Sequence, residues 1–207
     1  MENEIKSNFN YQELIHWLQS KGQERYGKEF KFLESDQAII YKLIAYFIRD
    51  EQACTHYNID LQKGILLTGP VGCGKTSLMN LMRHLAPIPH KFTLKPCREI
   101  SFEFIQDGYA VIHKYAKGKL YETTPKTICF DDLGLENNLK YFGNECNVMA
   151  EILLSRYDLL IAKNIQTHIT TNLSATEIEA QYGNRIRSRM RAMFNLIAFN
   201  KSTPDKR

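Results

Sequence analysis

The sequence has no long apolar run, no paired cysteines, no internal repeat and no low-complexity stretch. The greasiest segment, 38–48, is interrupted by Lys42. It falls well short of the roughly 20 apolar residues that a bilayer span takes, so no membrane is expected among the partners. The opening Met1-Glu2-Asn3-Glu4 is acidic and polar, without the basic and apolar regions of a secretory leader. No signal peptide is expected, and the chain is read as cytoplasmic. The five cysteines (Cys54, Cys73, Cys97, Cys129 and Cys146) are scattered, with no C-x-x-C pair and no His-rich neighbourhood. That spacing argues against a zinc site or a disulfide framework and suits a reducing compartment. Charge is not extreme either: 27 basic against 23 acidic residues give a net +4, which permits nucleic-acid binding without demanding it. With 43% hydrophobic residues, the chain has enough apolar surface for a core, which excludes global disorder.

What is present is more specific. Residues 69–76 read Gly69-Pro70-Val71-Gly72-Cys73-Gly74-Lys75-Thr76, a complete G-x-x-x-x-G-K-(S/T) phosphate-binding loop. The apolar run Gly64-Ile65-Leu66-Leu67-Thr68 precedes it and a helix-forming segment beginning Thr76-Ser77-Leu78 follows. Glycines let backbone N–H groups curl round an anion, and a helix N-terminus adds partial positive charge. Lys75 then reaches the β- and γ-phosphates and the Thr76 hydroxyl ligates Mg²⁺. Cys73, inside the loop, reads as an ordinary small residue rather than a redox switch. Further on, Thr127-Ile128-Cys129-Phe130 runs into Asp131-Asp132-Leu133-Gly134. An apolar strand ending in acid is the Walker-B pattern, with Asp131 expected to hold Mg²⁺ through water. Ligands collect at the carboxyl ends of strands in open α/β sheets, so the two motifs can face each other. About 55 residues separate them, room for two βα units.

Periodicity predicts a helix over 11–20 stopped near Gly22, and a stronger one from Asp36 with Ile40, Leu43, Ile44, Phe47 and Ile48 on one stripe. Strands are expected at 64–68, 91–94, 97–100, 126–130, 165–171 and 196–199. Helices are expected after the phosphate loop, at 102–116 closed by Gly118, at 144–162, at 175–182 and at 185–193. Alternation of strands and helices predicts a parallel sheet with helices on both faces. On helix 144–162, Arg156 falls in the apolar stripe of Met149, Ile152, Leu153 and Leu160. A charge there is expected to meet a neighbouring subunit or a buried carboxylate.

Together these stretches resemble AAA+ ATPases, and more narrowly the bacterial helicase-loader and insertion-sequence helper clade. Residues 69–76 look like its Walker A, and Cys129-Phe130-Asp131-Asp132-Leu133-Gly134 like its Walker B. Thr167-His168-Ile169-Thr170-Thr171-Asn172-Leu173-Ser174 looks like its sensor-1 strand. Tyr182-Gly183-Asn184-Arg185-Ile186-Arg187-Ser188-Arg189-Met190 looks like the box ending in its arginine finger. The resemblance spans 64–199. It implies a three-layer α/β P-loop NTPase fold with a central, mostly parallel sheet and little of the usual helical lid. Residues 1–35 would be a short helical extension and 36–207 the ATPase core.

The implied ligands are ATP and Mg²⁺. Gly69, Pro70, Val71, Gly72, Cys73, Gly74, Lys75, Thr76 and Ser77 would cradle the phosphates, and Thr76 and Asp131 would hold the metal. Asp132, where many relatives carry Glu, and Asn172 would orient the hydrolytic water. A neighbour's Arg189, or Arg185 on the same helix edge, would stabilise the transition state, which implies a homo-oligomer. Arg187 and Arg191 fall on the other edge, as solvated or DNA-facing charges. Arg207 alone is placed to act as the terminal arginine that the lid usually supplies. The implied partners are single-stranded DNA and a replicative helicase or transposase. Two other readings stand beside an ATPase: a nucleotide-switched binding module with little turnover, and a P-loop small-molecule kinase.

Overall fold

The strands 64–68, 127–133 and 167–171 assemble as the alternation predicts. The computed structural model describes residues 9–117, 126–136, 139–141 and 144–206. The expectations placed on 1–4, Gly118 and Arg207 lie outside them. Five strands form one parallel sheet in the order β2-β3-β6-β1-β7, namely β1 (Gly64–Thr68), β2 (Phe92–Pro96), β3 (Thr127–Leu133), β6 (Thr167–Thr171) and β7 (Phe194–Ala198). Side chains alternate across it. Ile65, Leu67 and Cys129 bury into a layer with Leu43, Ile44, Met79 and Leu81, while Phe130 and Ile169 bury into one with Phe104, Met149, Ile152 and Met190. The result is an α/β fold of three layers.

The first layer holds α1 (Tyr11–Tyr26), α2 (Gln37–Phe47), α3 (Glu51–His56) and α4 (Lys75–Met82). Asn10 caps α1 by accepting from the Glu13 N–H at 3.2 Å. The helix does not stop at Gly22 as its glycine suggested. Gly22 is buried, and a Cβ there would lie 2.1 Å from the Phe30 ring, so this glycine admits a ring and the helix ends at Gly27. The α2 stripe of Ile40, Leu43, Ile44 and Phe47 is buried as expected. Asp36, at its N-cap, makes no side-chain cap; its carboxylate binds Lys206 instead.

The second layer holds α5 (Cys97–Asp107), α6 (Tyr109–Lys117), α7 (Val148–Lys163), α8 (Ala175–Tyr182) and α9 (Asn184–Met193). Cys97 begins α5 rather than a strand, because Pro96 ends β2 and stands at the helix N-cap. Gly108, with φ 57°, divides the expected helix 102–116 in two. Helix α7 starts at Val148, not 144. Asn147 caps it through the Ala150 N–H at 3.0 Å, and β5 (Asn144–Cys146) pairs antiparallel with β4 (Leu139–Tyr141).

Two buried polar side chains fasten the central strand. His168 Nδ1 accepts from the Ile65 N–H at 3.1 Å, its ring enclosed by Tyr46, Phe47 and Phe92. Burial pushes its pKa down to about 3, so the ring stays a neutral acceptor. Arg156 pairs with no carboxylate among the described residues. It is 1% exposed and donates to Thr167 Oγ1 at 2.8 Å, Lys126 O at 3.0 Å and Gln166 O at 2.8 Å. It ties α7 to the start of β6 through neutral oxygens, and burial alone brings its pKa down to about 10. A guanidinium can fill an apolar stripe when its fork reaches backbone carbonyls beyond the stripe. Arg156→Ala should therefore lower unfolding stability by about 2–4 kcal/mol, through lost packing and orphaned carbonyls. Urea denaturation measures this, and light scattering should show an unchanged mass. Unchanged stability with altered association would return Arg156 to a subunit interface.

Candidate functional site

The phosphate loop leaves β1 at its carboxyl end and turns into α4. Gly69 N donates to Thr171 O at 3.3 Å, which ties the loop to the end of β6. A Cβ on Gly69 would sit 2.6 Å from Phe199 Cβ, and Gly74 takes φ 98°, a left-handed turn that glycine allows. Lys75, only 4% exposed, donates to Gly69 O at 2.9 Å, Pro70 O at 2.8 Å and the side-chain oxygen of Asn172. The ammonium is thus held by three oxygens at the mouth of the loop, one of them from the strand expected to carry the water-orienting amide.

The acidic pair is separated by a bulge. The pairing of β3 with β6 shifts register between Phe130 and Leu133, and Asp132 takes φ 55°. Thr170 holds both acids. Its hydroxyl donates to Asp131 Oδ1 at 2.6 Å and accepts from the Asp132 N–H at 2.8 Å. Asp131 is thereby turned toward α4, where the Thr76 hydroxyl donates to the same Oδ1 at 3.0 Å. Asp132 is turned into the cleft. Burial raises the Asp131 pKa, with the Thr170 hydrogen bond opposing it, the Asp132 charge adding to it, and Thr76 and Lys75 lowering it. A carboxylate in such a position gains from a cation. Thr76 and Asp131 offer the hard oxygens that Mg²⁺ prefers, and their 3.0 Å separation suits adjacent ligands of an octahedral ion with bonds of about 2.0–2.1 Å. No cluster of three or more His, Cys, Asp or Glu side chains able to hold a metal occurs among the described residues, so further ligands would come from phosphate oxygens and water.

Lys75, Thr76, Asp132 and Asn172 line one cleft of about 810 Å³, within the range of small-molecule sites, and Asp131 is joined to it through Thr76. The cleft is lined by 71–78 of the loop and α4, by Asp132 and Asn172, by Tyr26, Phe30, Phe32 and Leu33, and by Pro204, Asp205 and Lys206. Lys206 Nζ donates to Cys73 O at 2.8 Å and pairs with Asp36, while its N–H donates to Gly72 O at 3.1 Å. Of the residues expected in one site, Lys75, Thr76, Asp131, Asp132 and Asn172 come together. Arg189 does not: its guanidinium lies 4.9 Å from the Tyr157 ring centroid on α7, and no arginine lines the cleft among the described residues. Arg185 is exposed, and Arg187, expected on a solvated edge, is ion-paired with Glu179.

Thr170 and the Asp36–Lys206 pair were not anticipated. A hydroxyl in the wholly buried strand 167–171 is itself a signal, since buried hydroxyls need partners. Nothing local links two residues 170 positions apart.

No family model and no curated protein matches the sequence. Solved structures do share its fold. The DnaC helicase loader superposes with a TM-score of 0.55 at 18% identity, over 84% of this chain and 94% of that one. DnaI gives 0.56 at 19% identity, over 84% and 89%. AMPPCP-bound DnaA from Aquifex aeolicus gives 0.55 at 15% identity, over 84% of this chain but only 49% of DnaA. No helix among the described residues is long and apolar enough to cross a membrane. This chain shares the three-layer α/β P-loop fold of these proteins, as the ordered motifs implied.

Proposed function

We propose that this protein is an ATP- and Mg²⁺-dependent AAA+ ATPase that remodels DNA or a DNA-bound partner, as a helicase loader in replication or a helper in transposition. The observation that carries this reading is the meeting of Lys75, Thr76, Asp132 and Asn172 in one cleft from three strand ends, with Asp131 joined to it through the Thr76 hydroxyl. The phosphates would lie along the loop N–H groups with Lys75 on the β- and γ-oxygens. Thr76 and Asp131 would hold Mg²⁺, which would neutralise phosphate charge. Asp132 and Asn172 would orient the water. A relative of the same fold was solved with AMPPCP bound, which supports a nucleotide as the ligand. The absence of arginine from the cleft, among the described residues, supports a shared site, with Arg189 of a second copy supplying the transition-state charge. Single-stranded DNA and a replicative helicase or transposase are the proposed partners.

A nucleotide-switched binding module is the second reading. Asp132 favours it, because aspartate is one methylene shorter than glutamate and here starts from a bulged backbone. Steady-state ATPase assays with and without DNA separate the two.

Lys75→Ala should weaken ATP binding about fifty-fold, the loss of roughly 2–3 kcal/mol of charge-assisted hydrogen bonding. Asp131→Asn should cost Mg²⁺-dependent affinity, whereas Asp132→Asn should spare binding and lower turnover. Calorimetry and phosphate release read these separately, and equal loss of binding in both aspartate variants would refute the division of roles.

Arg189→Ala should bind ATP normally yet hydrolyse it about 10³-fold more slowly or worse. Mixing it with Lys75→Ala protein should restore activity that neither shows alone, because one copy brings the loop and the other the arginine. Co-assembly without recovered turnover would move the finger to Arg185.

A further inference from the structure

The chain has a single tryptophan, and it is not in the core. Trp17 is 42% exposed on α1, its ring edge-on to His84 with centroids 6.0 Å apart. His84 and Arg83 follow directly on α4, so the contact joins the outer face of α1 to the far end of the helix that begins with Lys75. Lys21 and Arg25 stand four and eight residues after Trp17, on the same face of α1. Beyond the face, Arg25 lies over the half-exposed Tyr26 ring, 5.7 Å from its centroid. The His84 imidazole is pushed below its ordinary value by desolvation and then by the charges of Arg83, Lys21, Arg25 and Lys91. Lys21 also pairs with Glu24 at 2.7 Å, which offsets one of these charges.

We propose that the face formed by Trp17, Lys21, Arg25, Arg83, His84 and Lys91 is where this protein binds single-stranded nucleic acid, with a base stacked on Trp17 and the phosphates on the cations around it. Cations alone would suit any polyanion. An exposed indole among them selects a polyanion that carries aromatic rings, since bases stack on aromatic side chains while phosphates track the basic groove. Duplex DNA keeps its bases stacked on one another and cannot use the indole in this way. The proposal rests on the functional reading above only in taking DNA as a partner. It moves the DNA contact from the Arg187 and Arg191 edge, where Glu179 already pairs with Arg187, to the opposite layer of the fold. The α4 helix spans about 12 Å between this face and the phosphate loop, a direct route by which ATP and a strand can influence each other.

Because Trp17 is the sole tryptophan, its emission reports the contact without a label. Titration of the full chain with an oligodeoxythymidylate of about twenty nucleotides, at about 50 mM salt, should quench that emission saturably. The paired substitution Arg25→Glu and Lys91→Glu should weaken binding at least about tenfold. It should also flatten the plot of log affinity against log salt by about 1.4, at roughly 0.7 per cation lost on a single strand. Arg191→Glu should change neither. Calorimetric ATP affinity should be unchanged in all of these, which shows that the fold and the nucleotide site are intact and tests nucleotide binding independently. Binding without quenching, loss of binding in Arg191→Glu alone, or no oligonucleotide binding at all would overturn the proposal. So would equal affinity for poly-glutamate, which would make the partner an acidic protein segment.

Discussion

The Thr170 hydroxyl sits between two adjacent acids and decides where each of them points. It donates to Asp131 and accepts from the backbone of Asp132, so one carboxylate faces the phosphate-loop helix and the next faces the cleft. Successive residues on a strand point to opposite faces by default. A regular β3 would have sent Asp132 to the far side of the sheet. The bulge after Phe130 and the positive φ of Asp132 turn it back to the same end. Such a backbone conformation costs energy of order 1–3 kcal/mol. The Thr170 bond to the Asp132 N–H, and the one from Thr171 Oγ1 to Leu133 O at 2.7 Å, hold it there.

The parallel register carries this local device to its neighbours. Leu66 and Phe130 both pair with Ile169, so β1, β3 and β6 finish at one level. The phosphate loop, the acids and Asn172 therefore emerge side by side. Fastening of β6 is what makes the level common. His168 accepts from β1, Arg156 grips Thr167 and Gln166, and Thr171 O receives Gly69 N from the loop itself. Buried polar groups thus define the alignment that apolar packing alone would leave free to slip.

The phosphate loop, the Walker-B strand and the α2 stripe were legible because each is set by neighbours in sequence: glycine backbone freedom, apolar runs, helical spacing. Elsewhere the local signal was real but answered a different need. Gly22 reads as a stop and is a seat for Phe30; Arg156 reads as a misplaced charge and is a clamp on backbone carbonyls. At 97–100 a strand pattern lost to Pro96, and at 144–147 a helix start lost to the cap at Asn147. Sheet order and the bond from Lys206 to Cys73 O depend on contacts between distant residues, and no local pattern encodes them. The loop, acids and amide of the candidate site were read as single residues. Their joint geometry came only with Thr170.

If the Thr170 hydroxyl sets the metal-facing and water-facing acids apart, then Thr170→Val, which keeps shape and removes the bonds, tests that most directly. ATP affinity measured by calorimetry with and without Mg²⁺ separates the phosphate-loop contribution from the carboxylate contribution. We expect Thr170→Val to bind ATP without Mg²⁺ as the unaltered protein does, and to lose about tenfold or more of the Mg²⁺-dependent gain, in line with a charge-assisted bond worth roughly 1.5–3 kcal/mol. A variant that retains the full Mg²⁺-dependent gain would show that Asp131 is oriented without Thr170 and would contradict the role given to it.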